Sequence, residues 1–371
     1  MKRIANILLV FLSLSAAGQT VRVRINAECV AYSPVRQKAF VAVRNTDSLY
    51  ANQLLQVNPY DGTVERQLAL EGEPLGLEFT PDHAHLYLTF RSLPKILKVS
   101  LATLLVESVI ETGSYTVLDL AVMPGTGNDL LVSHGEGGSA LNVAMYRNSV
   151  LQPRQFSPAY NAPSSLCISP GGGRLFGHNG LSTFSEGYLF GIAADGVVFD
   201  GVTWDQLVGT FGDLQVNGNL VFSATGTVVD AFSDSIPFLH AVMPVGLISE
   251  GLVRAAFSAI HGCYIFGHSY HDGSNLLSFF DGTAYNYLGS ADLGVEHYGI
   301  SDMDVVDQDH FIVVIWDYWK SRNEILFYRP GRERKVMRGG GECKADVFHG
   351  EKGVGVEGHG GMIPGMQGEE E

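Results

Sequence analysis

Short apolar stretches alternate with turn residues along most of the chain, and they come in pairs. Cys29 to Val43 (CVAYSPVRQKAFVAV) reads as strand, turn, strand, and so does Gly76 to Phe90 (GLEFTPDHAHLYLTF). Related pairs open at Asp119 (DLAVMPGTGNDLLVSH), Ser165 (SLCISPGGGRLFGH), Asp213 (DLQVNGNLVFSAT), Ala255 (AAFSAIHGCYIFGH) and Asp302 (DMDVVDQDHFIVVIW). Successive openings lie 42 to 48 residues apart, the period of a β-propeller blade. A second pair of strands follows, clearest in Gln53 to Leu70, where Asp61-Gly62 marks a tight hairpin. Lys95 to Ile110 and Asn275 to Gly289 fill the same place in their units. Four strands per unit and seven units predict an all-β fold, a seven-bladed propeller of four-stranded antiparallel blades. Six or eight blades are the alternatives.

The two ends of the chain complete this picture. The seventh unit offers a single strand after its first pair, Glu324 to Arg329. The alternating Val21 to Ile25 (VRVRI) predicts the missing fourth strand, closing the ring and removing an exposed sheet edge. Residues 1–18 read as a signal peptide: Lys2 and Arg3, the apolar run Ile7 to Leu14, then Ser15, Ala16, Ala17 and Gly18. That run is shorter than the ~20 residues of a membrane span, so no transmembrane anchor is expected and the protein is expected to be secreted or periplasmic. The propeller is expected over 19–330. Residues 331–371 hold 12 glycines in 41 positions and end in Glu369-Glu370-Glu371, which predicts a Gly-rich, disordered tail.

Composition narrows the function. Of 371 residues 46% are hydrophobic and 17% charged, and the net charge is −15. Without Lys2 and Arg3 it becomes −17, a balance that excludes nonspecific nucleic-acid binding, which needs Lys and Arg to neutralise phosphates. The spacing of Cys29, Cys167, Cys263 and Cys343 suggests neither a disulfide framework nor a zinc site. Buried thiols acting as small hydrophobes are expected instead.

Thr80-Pro81-Asp82 followed by Leu86-Tyr87-Leu88, and the strand LLQVNPYDGTVERQL, resemble the YVTN repeat of surface-layer and YncE-like propellers. Ser33-Pro34 and Ser169-Pro170 match in part, and the resemblance spans roughly residues 21 to 330. It implies a propeller fold and leaves function open, because such propellers include binding proteins, surface structures and some lactonases.

Blade topology places a site without further information. With the four strands of each unit labelled a to d in order from the channel outward, the d–a and b–c connections emerge on one face, which opens as a funnel onto the central channel. The b-strand ends supply Arg44, Arg91, His134, His178, His268, Trp316 and Asp317. The d–a segments supply Glu73, Tyr115, Tyr160, His297 and Tyr298. Arg suits carboxylate or phosphate, so such a ring could take an anionic small ligand, whereas neutral imidazoles could take a metal. His268 and His271 are the metal candidates, while polar strand ends at a wet channel need no ligand at all. Asp302 is expected to face the channel. No motif requires a cofactor: a nucleophile elbow, a zincin motif and a P-loop are all missing from the sequence. The leading expectation is a non-catalytic propeller binding a small molecule or a protein partner at the funnel. A lactonase- or hydrolase-like enzyme with a channel metal and a structural surface-layer module are the alternatives.

Overall fold

The computed structural model describes residues 19–136, 139–158, 161–180, 186–203, 214–223, 227–232, 239–241, 253–258, 262–269, 275–281, 287–295, 298–307, 310–317 and 320–329. The expected signal peptide and tail lie outside them. Among the described residues, twenty-eight strands form seven four-stranded antiparallel sheets, and the seven-bladed propeller expected from the repeat is the observed fold.

Blade 1 runs from the inside outward through Ala27–Ser33 (β2), Lys38–Val43 (β3), Gln53–Val57 (β4) and Val64–Ala69 (β5), leaving β1 for another blade. Blade 2 contains Pro74–Phe79 (β6), His85–Phe90 (β7), Lys95–Ser100 (β8) and Leu105–Glu111 (β9). Blade 3 contains Thr116–Val122 (β10), Asp129–Glu136 (β11), Ser139–Arg147 (β12) and the short Val150–Leu151 (β13). Blade 4 contains Ser165–Ile168 (β14), Arg174–His178 (β15), Gly187–Ala193 (β16) and Gly196–Thr203 (β17). Blade 5 contains Leu214–Asn217 (β18), Leu220–Ser223 (β19), Thr227–Asp230 (β20) and Leu239–Ala241 (β21). Blade 6 contains Val253–Ser258 (β22), Cys263–Ser269 (β23), Asn275–Asp281 (β24) and Tyr287–Asp292 (β25). Blade 7 contains Tyr298–Val305 (β26), Phe311–Asp317 (β27) and Arg322–Arg329 (β28), and its outermost strand is Gln19–Val23 (β1).

The closing strand therefore lies two residues before the predicted Val21 to Ile25. Gln19 pairs with Arg329 and Val23 with Ile325. Ile25 is buried but outside the ladder, because it turns the chain inward from the rim toward β2 and packs between blades 7 and 1. The strand is pinned by Arg22, whose Nε donates to the buried Glu324 carboxylate, which also accepts from Arg322 at 2.8 Å. Next to it Asn323 N donates to Asn26 Oδ1 at 2.7 Å, and Asn26 Nδ2 donates to Thr46 Oγ1 at 2.6 Å.

The core is distributed as wedges between neighbouring blades rather than gathered in one mass. Ile312, Val314 and Phe327 meet Val30, Val41 and Leu55 across the 7–1 junction. Phe40 and Leu54 meet Leu86 and Leu88 across the 1–2 junction. Between blades 5 and 6, Phe222 stacks on Tyr264 with ring centroids 3.7 Å apart. Cys167 and Cys263 are buried in such wedges, as expected of small hydrophobes, whereas Cys29 on β2 is only partly buried and Cys343 lies outside the described residues.

A second device links inner strands of adjacent blades, which are too far apart to share a ladder. Asp119 on β10 accepts from Leu166 N of blade 4 at 2.6 Å and from its own neighbour Leu120 N at 2.8 Å. Asp302 on β26 does the same for Val30 N of blade 1 and for Met303 N, at 2.7 and 2.9 Å. A carboxylate that satisfies an inward amide replaces the hydrogen bond a neighbouring strand would have made. Asp213 holds the equivalent place in the fifth unit and lies outside the described residues.

Candidate functional site

Antiparallel pairing within each blade brings the ends of β3, β7 and β27 to the funnel face, as the topology requires. Arg44, Arg91, Glu73 and Trp316 come together there. Their hub is Glu28, which inspection of strand ends overlooked. Glu28 is the extra residue of a bulge in β2, between the pairs Ala27–Val43 and Cys29–Ala42. A bulge re-aims one side chain, and here the carboxylate accepts from both Arg44 Nε and Arg91 NH2. Arg91 Nε also lies 3.4 Å from Glu73, and the Arg44 guanidinium sits 5.6 Å from the centre of the Trp316 ring. Two cations therefore face two carboxylates, so this mouth carries both signs of charge instead of a purely basic ring. Arg91 remains 46% exposed at the side chain and Glu28 only 11%, which places a buried anion beneath an accessible cation.

The remaining ring residues are dispersed. Asp317 is buried and holds Lys320 through Nζ at 2.8 Å and N at 3.0 Å. His134 is buried against the wedge between blades 2 and 3, with Nδ1 2.6 Å from Asn142 Oδ1 and Nε2 3.2 Å from the Tyr146 hydroxyl. Burial lowers its pKa, against the smaller opposing effect of Asn142. Tyr115 lies beside it, ring centroids 6.2 Å apart. His178 is buried at the end of β15, and burial pushes its pKa down to about 4. Neither of its ring nitrogens has a hydrogen-bond partner among the described residues. His268 lies in β23 and Tyr298 in β26, and Tyr160, His297 and His271 lie outside the described residues. No group of three or more His, Cys, Asp or Glu suited to a metal occurs among the described residues.

The channel itself holds a cavity of about 360 Å³ toward the opposite face. Its wall is drawn from the inner strands of blades 1, 2, 5 and 7, and it reaches the β6–β7 turn at Thr80, Pro81 and His83. Glu78, Gln215, Asp302 and Asp304 give it a polar lining. Asp304 accepts from Tyr32 N at 2.6 Å and Val305 N at 2.7 Å. Despite these two bonds, desolvation deep in the channel pushes its pKa up to about 6. Burial also lowers the pKa of His83, whose ring packs against Phe79 at 4.8 Å.

These features define the protein as a seven-bladed β-propeller with a channel mouth of mixed charge and a polar cavity on the axis. No protein-family model and no curated protein matches the chain. Among solved structures, a chain of Kuenenia stuttgartiensis hydrazine synthase is similar, with a TM-score of 0.61 at 14% identity over 82% of this chain and 96% of that one. At that identity the similarity carries the fold alone. No helix long and apolar enough to cross a membrane occurs among the described residues.

Proposed function

We propose that this chain is an exported, non-catalytic propeller that binds a small polar ligand at the funnel face of its channel. The observation that carries the reading is the convergence of Glu28, Arg44, Glu73, Arg91 and Trp316, from three blades, on one mouth. Charge balance there favours a ligand carrying both signs, such as a zwitterion, over a bare anion. An incoming carboxylate would have to compete with Glu28 for the same two guanidiniums. Asp302 and Asp304 support binding over acid–base chemistry, since both oxygens of each are engaged by backbone amides. The composition of residues 1–18 and the YVTN-like repeat support export and kinship with YncE-like binding propellers.

Isothermal titration of the purified chain against zwitterionic amino acids and sugar acids tests this. A saturable ligand whose affinity falls tenfold or more in Arg91→Ala is the expected result. Binding that ignores both Arg91→Ala and Glu28→Gln would sink the reading, and so would ligand turnover during the titration.

A further inference from the structure

We propose that the junction of blades 7 and 1 carries, on the face away from the funnel, a site for a hard trivalent cation, ferric iron, with Tyr32, Tyr60, Asp307 and His310 as its ligands. The site shares no residue with the mouth and goes beyond the reading above.

Three separate pieces of chain bring these side chains together. Tyr32 stands near the end of β2, Tyr60 lies in the β4–β5 connection, and Asp307 and His310 lie at the two ends of the β26–β27 turn. That turn is held by the His310 carbonyl, which accepts from Val306 N at 2.9 Å and Asp307 N at 3.3 Å. His310 Nδ1 lies 2.8 Å from Asp307 Oδ1. The imidazole stands edge-on to the Tyr60 ring, with 4.9 Å between centroids and 89° between planes. The Tyr60 hydroxyl is within hydrogen-bonding reach of Asp307 and of the Tyr32 hydroxyl. Groups at that spacing already stand about as far apart as neighbouring donors around an octahedral ion with bonds of about 2.0–2.1 Å. The contact with Asp307 also gives His310 the setting of a metal-ligating imidazole, one nitrogen donating to a carboxylate and Nε2 left to ligate.

The repeat does not ask for a phenol here. Counting each unit from its opening residue, Tyr32 is fourth, and the fourth place in the other six holds Phe79, Val122, Ile168, Val216, Ser258 and Val305. Packing between blades is therefore served elsewhere without the hydroxyl.

Donor chemistry selects the ion. Burial and, after it, negative neighbours that include Asp307 raise both phenols above their ordinary range. A bound cation inverts the second effect, and both phenol protons pass to solvent as the ion binds. Two phenolates and one carboxylate then sum to three negative charges, which a trivalent ion cancels. A divalent ion would leave one of them uncompensated beside buried groups. Anionic oxygens are hard donors, which match ferric iron better than the softer divalent ions. Tyr60 is 46% exposed while Tyr32 is buried, so the ion has a way in and a floor to rest on.

The test is spectrophotometric titration of the full chain with ferric citrate. Ferric–phenolate bonds absorb visible light by charge transfer, so a coloured complex that saturates at one iron per chain is expected. Tyr60→Phe should weaken binding tenfold or more and lower the absorbance per bound iron, because one of two phenolates is gone. Tyr32→Phe should do the same, whereas Asp307→Asn should weaken binding and keep the colour. Tyr60→Phe retains the ring against His310, so its melting temperature without iron should match the parent, which separates lost binding from lost folding. Arg91→Ala should bind iron unchanged. Absence of saturation, iron bound without a visible band, a band unaltered in folded Tyr60→Phe, or zinc binding as tight as that of ferric iron would each overturn the proposal. Titration with zwitterions reports on the mouth alone, so either reading can fall while the other stands.

Discussion

Gly62 offers a direct test of how the ring is closed. It lies in the β4–β5 turn of blade 1 with φ +74°, and a Cβ there would sit 2.4 Å from Val23 Cγ2 and 3.0 Å from the Phe327 ring. Val23 belongs to β1 and Phe327 to β28, so the contact exists only if the N-terminal strand has joined blade 7. Gly62→Ala has two separable costs. Placing a Cβ in the left-handed region costs about 1–2 kcal/mol, and overpacking against Val23 and Phe327 adds roughly 1–3 kcal/mol. Val23→Ala alone removes two partly buried methyl groups, for about 1 kcal/mol. In the double mutant the steric contact with Val23 is gone and the backbone cost remains. Relief of the Val23 share of that overpacking, with the Phe327 contact remaining, should couple the two substitutions favourably by about 1–2 kcal/mol, outside the scatter of independent sites. Urea denaturation of the four proteins, followed by tryptophan fluorescence, measures it. Additive effects within about 0.5 kcal/mol would mean that β1 does not press on the Gly62 turn, and the assigned closure would be wrong.

Other consequences can be measured alongside. Asp119→Ala leaves the Leu166 amide without its carboxylate and should destabilise by about 1–3 kcal/mol, read from the urea midpoint; no loss would show that the link is dispensable. Asp304 has a folded pKa of about 6, above its unfolded value, so its contribution is complete below about pH 4 and is lost as pH rises through 6. Asp304→Asn should flatten stability between pH 4 and about 6.5, and an unchanged profile would refute the assignment. His178 is shifted the other way: it supports the fold above its unfolded pKa and loses that support as pH falls toward about 4, which proton NMR titration of its ring would follow. His178→Leu should be neutral or stabilising, and a large loss would reveal a partner for the imidazole. Glu28→Ala should raise affinity for simple carboxylates at the mouth by freeing two guanidiniums, as measured by calorimetry with acetate.

The fold was legible because its signals are periodic. Each unit repeats an apolar pair around a turn. Asp61-Gly62 does mark the β4–β5 connection, but residues 58–63 separate the strands and of the two only Gly62 has a positive φ, so the loop is longer than the tight hairpin the pair implies. The closing strand was displaced by two residues because alternation continues through Ile25, whose burial comes from packing after the ladder has ended. The site was legible only in part. Strand-end position identifies Arg44 and Arg91 but not the face a side chain takes, and His134 shares the Leu130–Val132 face that packs between blades. Glu28 was hidden because a bulge leaves no mark in hydrophobic alternation. Asp304 was visible as one of several acids, but its bond to the Tyr32 amide of blade 1 joins two units far apart in sequence and shows only in the folded ring.

Closure by the first strand also sets an order of events. Gln19 emerges from the ribosome long before its partner Arg329, so the ring stays open until the whole repeat array has been made. Joining ends some 310 residues apart carries a chain-entropy cost of about 5 kcal/mol, several times that of a hairpin. The last blade is therefore the one whose completion waits for every other, and until then blade 7 presents an uncovered edge. A circular permutant that began at Ala27 and carried residues 19–26 after Arg329 would keep the β1–β28 ladder and the residues, Ile25 and Asn26, that pack and bond beside it. It would convert this final long-range step into a local hairpin, changing the timing of assembly while leaving its product the same.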